Sequence, residues 1–263
     1  MHSVTGKLFC NTMLADFNVL LYCVPLFAVI YAFGYSVLFR TWKGPTRFEA
    51  ASCCISFIHG ICVVIMCSYD LINSYPWKLD APNTNLENKI MEFSLAYFAI
   101  DMIHYILVNP SDYLFILHHV ATSTYMISCR YYTGHGGISA ISLMCTGEAT
   151  SPFQNVWTVA RMGRGESPLA SRIYAAMSPA FTVYFTIMRC IVGPYIAWEL
   201  GSFYFPGKAD KVIPRGIAYF WMVTVILAIV GSTVWVYKLW TGLIKFYARK
   251  RSPSHKTNIK KAE

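Results

Sequence analysis

Residues 98–122 read FAIDMIHYILVNPSDYLFILHHVAT. Two apolar runs flank Asn109-Pro110-Ser111-Asp112. Proline lacks an N–H and stops a helix, and Ser or Asp caps the next one. The tetrad therefore reads as a tight turn between two antiparallel helices. Both helices are apolar almost all round, which places them in apolar surroundings rather than on a wet surface. An apolar segment of about 20 residues is long enough to cross the hydrocarbon core of a bilayer. The same reading extends outward to seven candidate spans, at roughly 17–39, 48–72, 91–108, 113–132, 137–160, 173–200 and 216–244. The expected fold is all-α, a polytopic transmembrane helical bundle of about seven spans.

Composition agrees. Of 263 residues, 56% are hydrophobic and 13% charged, with a mean hydropathy of +0.43. Soluble domains carry about 25% charge, so a polar-surfaced soluble enzyme is disfavoured, and 16% aromatic residues exclude disorder. The first run is too long for a signal-peptide core and lacks a small-residue cleavage site, so it reads as an uncleaved span. The net charge of +9 comes from residues between the runs and at the C-terminus, not from a dense patch, which argues for membrane orientation and against nucleic acid. None of the nine cysteines forms a C-x-x-C pair, and they read as small buried hydrophobes.

Basic residues orient the bundle. Arg40, Lys43 and Arg47, then Arg161, Arg164 and Arg172, then seven more from Lys245 to Lys261 fall on one side. Lys7, Lys78, Lys89, Arg130, Lys208, Lys211 and Arg215 fall on the other. The richer side is expected to be cytosolic, which puts the C-terminus in the cytosol. The chain ends Lys260-Lys261-Ala262-Glu263, a dilysine-type retrieval signal read by cytosolic coat proteins, which points to the endoplasmic reticulum. No glycosylation sequon is present, since Asn109-Pro110-Ser111 holds the excluded proline.

Ionisable residues inside spans are costly unless paired or facing a wet cavity, so each is a functional candidate. They are Glu49, His59, Asp70, Glu92, Asp101, His104, His118, His119, Glu148 and Arg189. Asp101 and His104 lie three apart on one helix face. His118 and His119 point about 100° apart on a helix, since a turn takes 3.6 residues. The hairpin matches the depths of His104 and His118, so Asp101, His104, His118 and His119 are expected to cluster, while His59 stands alone. A metal site is not indicated, because neither H-x-x-x-H nor E-x-x-H spacing occurs. Two uses stay open: a histidine as general base or nucleophile in acyl transfer, or buried histidines bridging helices. In the fifth span Glu148, Ser151 and Asn155 repeat at three and four residues around Pro152, which suggests a kinked helix with a polar stripe lining a cavity. Arg189 needs a partner, with Glu148 or Asp101 the natural choice. Pro179, Gly193 and Pro194 are expected to tilt or kink the sixth span.

Three motifs, Phe98–Asp101, Leu117–Thr122 and Glu148–Asn155, resemble the TLC-domain family of translocating-chain-associated proteins, ceramide synthases and a ceroid-lipofuscinosis membrane protein. The resemblance spans roughly residues 48–245. It divides the chain into an N-terminal region with the first span (1–47), a six-span TLC domain (48–245) and a basic tail (246–263). It implies endoplasmic-reticulum membranes, a lipid-accessible cavity within the bundle, and roles in lipid synthesis, sensing or transfer. By this resemblance His118 and His119 match the family's histidine pair, and Asp101 matches the aspartate of the preceding span. These three are the candidate catalytic residues, with His104, Glu148, Ser151, Asn155 and Arg189 lining the cavity. Ceramide synthases also carry a His-Asp pair that falls near Thr146-Gly147 here, where neither residue is present. That departure favours a non-catalytic protein of lipid homeostasis over an acyltransferase. The acyltransferase reading would use acyl-CoA as substrate and no bound cofactor. A transporter would use Arg189 and the carboxylates, but no inverted repeat of broken helices is seen. Membrane lipids are the expected partners, and association with a second copy of the chain is left open.

Overall fold

The computed structural model describes residues 18–251, which are α-helical apart from short π segments and loops. Lys7, Cys10, Lys256, Lys260 and Lys261 lie outside the described residues, so the retrieval signal does too. In chain order the helices are α1 (Asn18–Phe33), α2 (Pro45–Asn73), α3 (Asn85–Val108), α4 (Tyr113–Ile127), α5 (Gly137–Glu148), α6 (Ser151–Gly163), α7 (Pro168–Ile187), α8 (Gly193–Tyr204) and α9 (Arg215–Arg251). Single π-helical stretches extend α1 (Gly34–Leu38) and α4 (Ser128–Thr133) and join α7 to α8 (Met188–Val192).

Among the described residues five segments are long and apolar enough to cross a membrane: Val19–Leu38, Pro45–Asn73, Asn85–Val108, Pro168–Tyr204 and Arg215–Ala248. The other two expected runs are also helical. One is α4, which carries His118 and His119, and the other is the broken pair α5–α6. The chain is a multi-pass helical membrane protein.

Local chemistry sets the element ends. The Asn109–Asp112 turn forms as expected, with Asp112 accepting from Phe115 N to cap α4. Helix α3 begins at Asn85, not near 91, because Thr84 and Glu87 form a reciprocal capping box, with Thr84 N donating to Glu87 Oε2 at 2.6 Å and Glu87 N to Thr84 Oγ1 at 3.1 Å. The fifth run is two helices, not one kinked helix. Pro152 cannot donate and clashes with the turn before it, so α5 stops at Glu148 and α6 restarts at Ser151. Arg189 satisfies the loose end of α5, donating to Gly147 O at 2.8 Å and to Thr150 Oγ1 at 3.2 Å. In the sixth run the helix continues through Pro179, where Ser178 and Thr182 bond back to Tyr174 O and Ser178 O. The irregularity falls at the π turn before Gly193-Pro194.

Helix α2 is central and packs against α1, α3, α5 and α6. Gly60 permits the contact with α6: an added Cβ would lie 3.0 Å from Ser151 Cβ and 3.1 Å from Pro152 Cδ. Phe27, Ile55, Val63, Ile90, Ile141 and Trp221 fill the core, while Leu21, Ile72, Leu107 and Leu227 face outward, as lipid-facing side chains do. At the end away from the Asn109–Asp112 turn, a buried ion pair of Glu92 Oε1 with Arg130 (3.1 Å) ties α3 to the end of α4. Gly136, at φ +89°, closes against Trp221, where a Cβ would meet the ring at 2.7 Å.

Candidate functional site

The hairpin brings Asp101 of α3 to His119 of α4. His119 Nε2 lies 2.9 Å from Asp101 Oδ2, and its Nδ1 lies 2.9 Å from Phe115 O. A carbonyl only accepts, so Nδ1 carries a proton. Ser52 Oγ donates to Asp101 Oδ1 at 2.5 Å, and Tyr97 OH donates to Oδ2 at 3.1 Å. Three partners on one buried carboxylate suit its ionised form, and with Asp101 ionised His119 would donate at both nitrogens. Both nitrogens are thus committed, and His119 has no lone pair to attack a carbonyl. All four side chains are buried.

The other histidines separate from this pair. His104 shares a helix face with Asp101 but turns to α1, where Tyr31 OH and His104 Nδ1 are 2.9 Å apart. His118 diverges from His119, as adjacent helical positions must. It is half-buried, stands edge-on to Phe98, and makes no hydrogen bond among the described residues. The expected four-residue cluster is therefore one bonded pair and two histidines with other neighbours. His59 does not stand alone. It stacks on Tyr97 at 4.0 Å, its Nε2 is 3.1 Å from Ser94 Oγ, and its Nδ1 is 3.6 Å from Glu148 Oε2. Tyr97 thus lies between the two buried polar groups, stacked on one histidine and bonded to the aspartate of the other.

The break at Ala149–Thr150 also redistributes the polar run. Glu148 faces His59, whereas Asn155 donates to Ser56 Oγ at 2.9 Å and to Ser151 O at 2.8 Å. The three residues do not form one continuous stripe. Arg189 pairs with neither Glu148 nor Asp101; it caps α5 and lies over the Phe185 ring.

Beside the pair a cavity of about 1340 Å³ opens between α2, α3, α6, α7 and α9. Ser52, Ser56, Tyr97, Asp101, His104 and Asn155 form its polar floor. Arg161, Arg164, Lys238 and Lys245 line it further out, together with Glu49 and Asp112. Trp157, Tyr174, Phe181, Phe185 and Trp235 make its apolar wall. An amphipathic guest fits such a mixture. Among the described residues no three His, Cys, Asp or Glu side chains gather as metal ligands would. The sequence reading missed Ser52, Ser56 and Tyr97. The signal was present, since Ser52 and Ser56 are four apart on α2 and Tyr97 is four before Asp101.

Comparison with known proteins agrees with this architecture. Residues 49–241 match the family described as TLC domain. A TLC domain-containing protein of Arabidopsis thaliana is 38% identical over 220 residues, covering 83% of this chain and 87% of that protein.

Proposed function

The chain belongs to the TLC-domain family, and from that premise we propose that it holds a membrane lipid in the cavity beside Asp101 and serves lipid homeostasis in the endoplasmic reticulum, sensing or transferring that lipid rather than making it. The observation that carries this reading is the cavity itself, whose buried floor is ionisable while its walls are aromatic. Locking of His119 at both nitrogens favours binding over acyl transfer by that residue. The location rests on the dilysine end and the charge asymmetry, which also assign a cytosolic tail and coat proteins as partners of Lys260 and Lys261.

One observation favours a second reading, an acyl-CoA-dependent acyltransferase: His118 has no hydrogen-bond partner among the described residues, which leaves a nitrogen available as base or acyl carrier. One experiment separates the two. The purified protein is examined by native mass spectrometry for retained lipid, then incubated with labelled acyl-CoA and a long-chain base. Retained lipid without an N-acyl product supports binding. A product that disappears in His118→Ala overturns it in favour of acyl transfer.

A further inference from the structure

A second recess lies between α1, the start of α2 and the end of α3. It is a groove of about 600 Å³ walled by Ala28, Phe48, Ile100, Ile103 and Leu107 among others. Among the described residues its polar side chains are Tyr31 and His104, and those two are bonded to each other. His104 lines both this groove and the large cavity. We propose that the groove is a chain-binding subsite of the cavity, joined to it at His104. Its occupant is one acyl chain of a phosphate-headed membrane lipid whose head lies among Arg161, Arg164, Lys238 and Lys245. This rests on the reading of the cavity as a lipid site and adds the head class and the path of the chain.

Depth and exposure support the chain. His104 is five residues before Asn109, so it lies about 7–8 Å along the helix from the turn, level with the acyl region of the nearer leaflet. Ile103 and Leu107, at the outer lip, are 53% and 75% exposed, so the groove opens towards the bilayer. Apolar contact cannot select a guest here, because lipid tails are as apolar as the groove. Selection falls to the head.

The four cations supply it. None of them makes an ion pair among the described residues, since the ion pairs found there involve other side chains. Aromatic rings hold two of them: the Arg161 guanidinium lies 5.4 Å from the Trp157 ring and that of Arg164 lies 4.7 Å from Tyr174. Lys238 and Lys245 are seven apart and share a face of α9, so Lys238 lies about 10 Å deeper. Orientation by charge places cations at helix ends, which accounts for Lys245 but not for a lysine two turns inward on a cavity wall. Asp101 is already engaged by His119, so Glu49 and Asp112 are the carboxylates left in the lining to oppose four cations. Arginine pairs and ammonium charges together are the usual receptors of phosphate.

The test uses the full chain in lipid nanodiscs and a phosphatidate with a diazirine midway along one chain. Crosslinked peptides are mapped by mass spectrometry, with dioleoylglycerol and oleoyl-CoA as competitors. Crosslinks are expected on α3 between residues 100 and 108 and at Phe48. Ile103→Trp, which fills the groove, is expected to remove those crosslinks while lipid is still retained in the cavity. Arg164→Gln with Lys238→Gln is expected to weaken phosphatidate binding about tenfold, a loss of about 1.4 kcal/mol, and to abolish its preference over dioleoylglycerol. A thermal melt of each variant confirms folding. Retained lipid with no groove crosslink would overturn the proposal and leave the cavity reading intact, whereas no retained lipid at all would overturn both. Dioleoylglycerol competing as well as phosphatidate would refute the phosphate head, and oleoyl-CoA displacing phosphatidate at lower concentration would refute a membrane phospholipid as the occupant.

Discussion

Asp101→Ala tests the buried pair most directly. The substitution removes the acceptor for Ser52, Tyr97 and His119 at once. The two hydroxyl bonds are worth about 0.6 kcal/mol each, as interhelical bonds in membranes average. The charge matters more, because removing one partner of a buried ion pair costs about 3–5 kcal/mol. For a chain of this size each kcal/mol lowers the melting midpoint by about 2–4 °C, so the combined loss of about 4–6 kcal/mol gives an expected fall of about 8–25 °C. The assay is loss of helical circular dichroism on heating in detergent. His119→Ala is expected to cost a similar amount. The double variant is expected to cost well under the sum of the two, because no unpaired charge then remains. Additive effects, or a midpoint shift below about 2 °C for Asp101→Ala, would refute the ion pair as the link between α3 and α4. A ¹⁵N-histidine spectrum gives an independent check, with His119 expected to show two protonated ring nitrogens.

Three further outcomes follow from particular contacts. Gly60→Leu forces side-chain atoms into Ser151 and Pro152 and is expected to destabilise by about 1–3 kcal/mol or more, read as a lower melting midpoint. Arg189→Ala removes the charged donor to Gly147 O and Thr150 Oγ1 and leaves only the Thr150 hydroxyl on that carbonyl; a loss of about 1–3 kcal/mol is expected, with Arg189→Lys only partly restoring it because the shorter lysine stem does not carry its ammonium to the position of Nη2. Lys260→Ser with Lys261→Ser in a tagged full chain is expected to shift the protein from the endoplasmic reticulum to later membranes, and unchanged localisation by fluorescence microscopy would refute the retrieval signal.

Much of the architecture was legible in the residues alone. Long apolar runs need no partner to be recognised, because the bilayer, not tertiary contact, selects them. The turn at Asn109–Asp112 was legible because Pro110 and Asp112 act on their own backbone. The capping box at Thr84 and Glu87 is equally local and was available to be read; overlooking it placed the start of α3 six residues late. Pro152 signalled an irregularity, yet whether it bent one helix or divided it depended on a donor for the freed carbonyls, and that donor is Arg189, 42 residues away from Gly147.

The candidate site followed the same division. Sequence alone determined which ionisable groups lie within the spans and that His118 and His119 diverge, because helical geometry fixes their angle. Tertiary structure decided that His119 meets Asp101, that His104 meets Tyr31, and that His59 lies beside Glu148. Those pairings depend on the rotation and depth of each helix against its neighbours, which are set by contacts such as Gly60 on Pro152 and Trp221 on Gly136. Packing of this kind joins residues far apart in the chain, and no local pattern encodes which of several equivalent polar partners will face a buried charge.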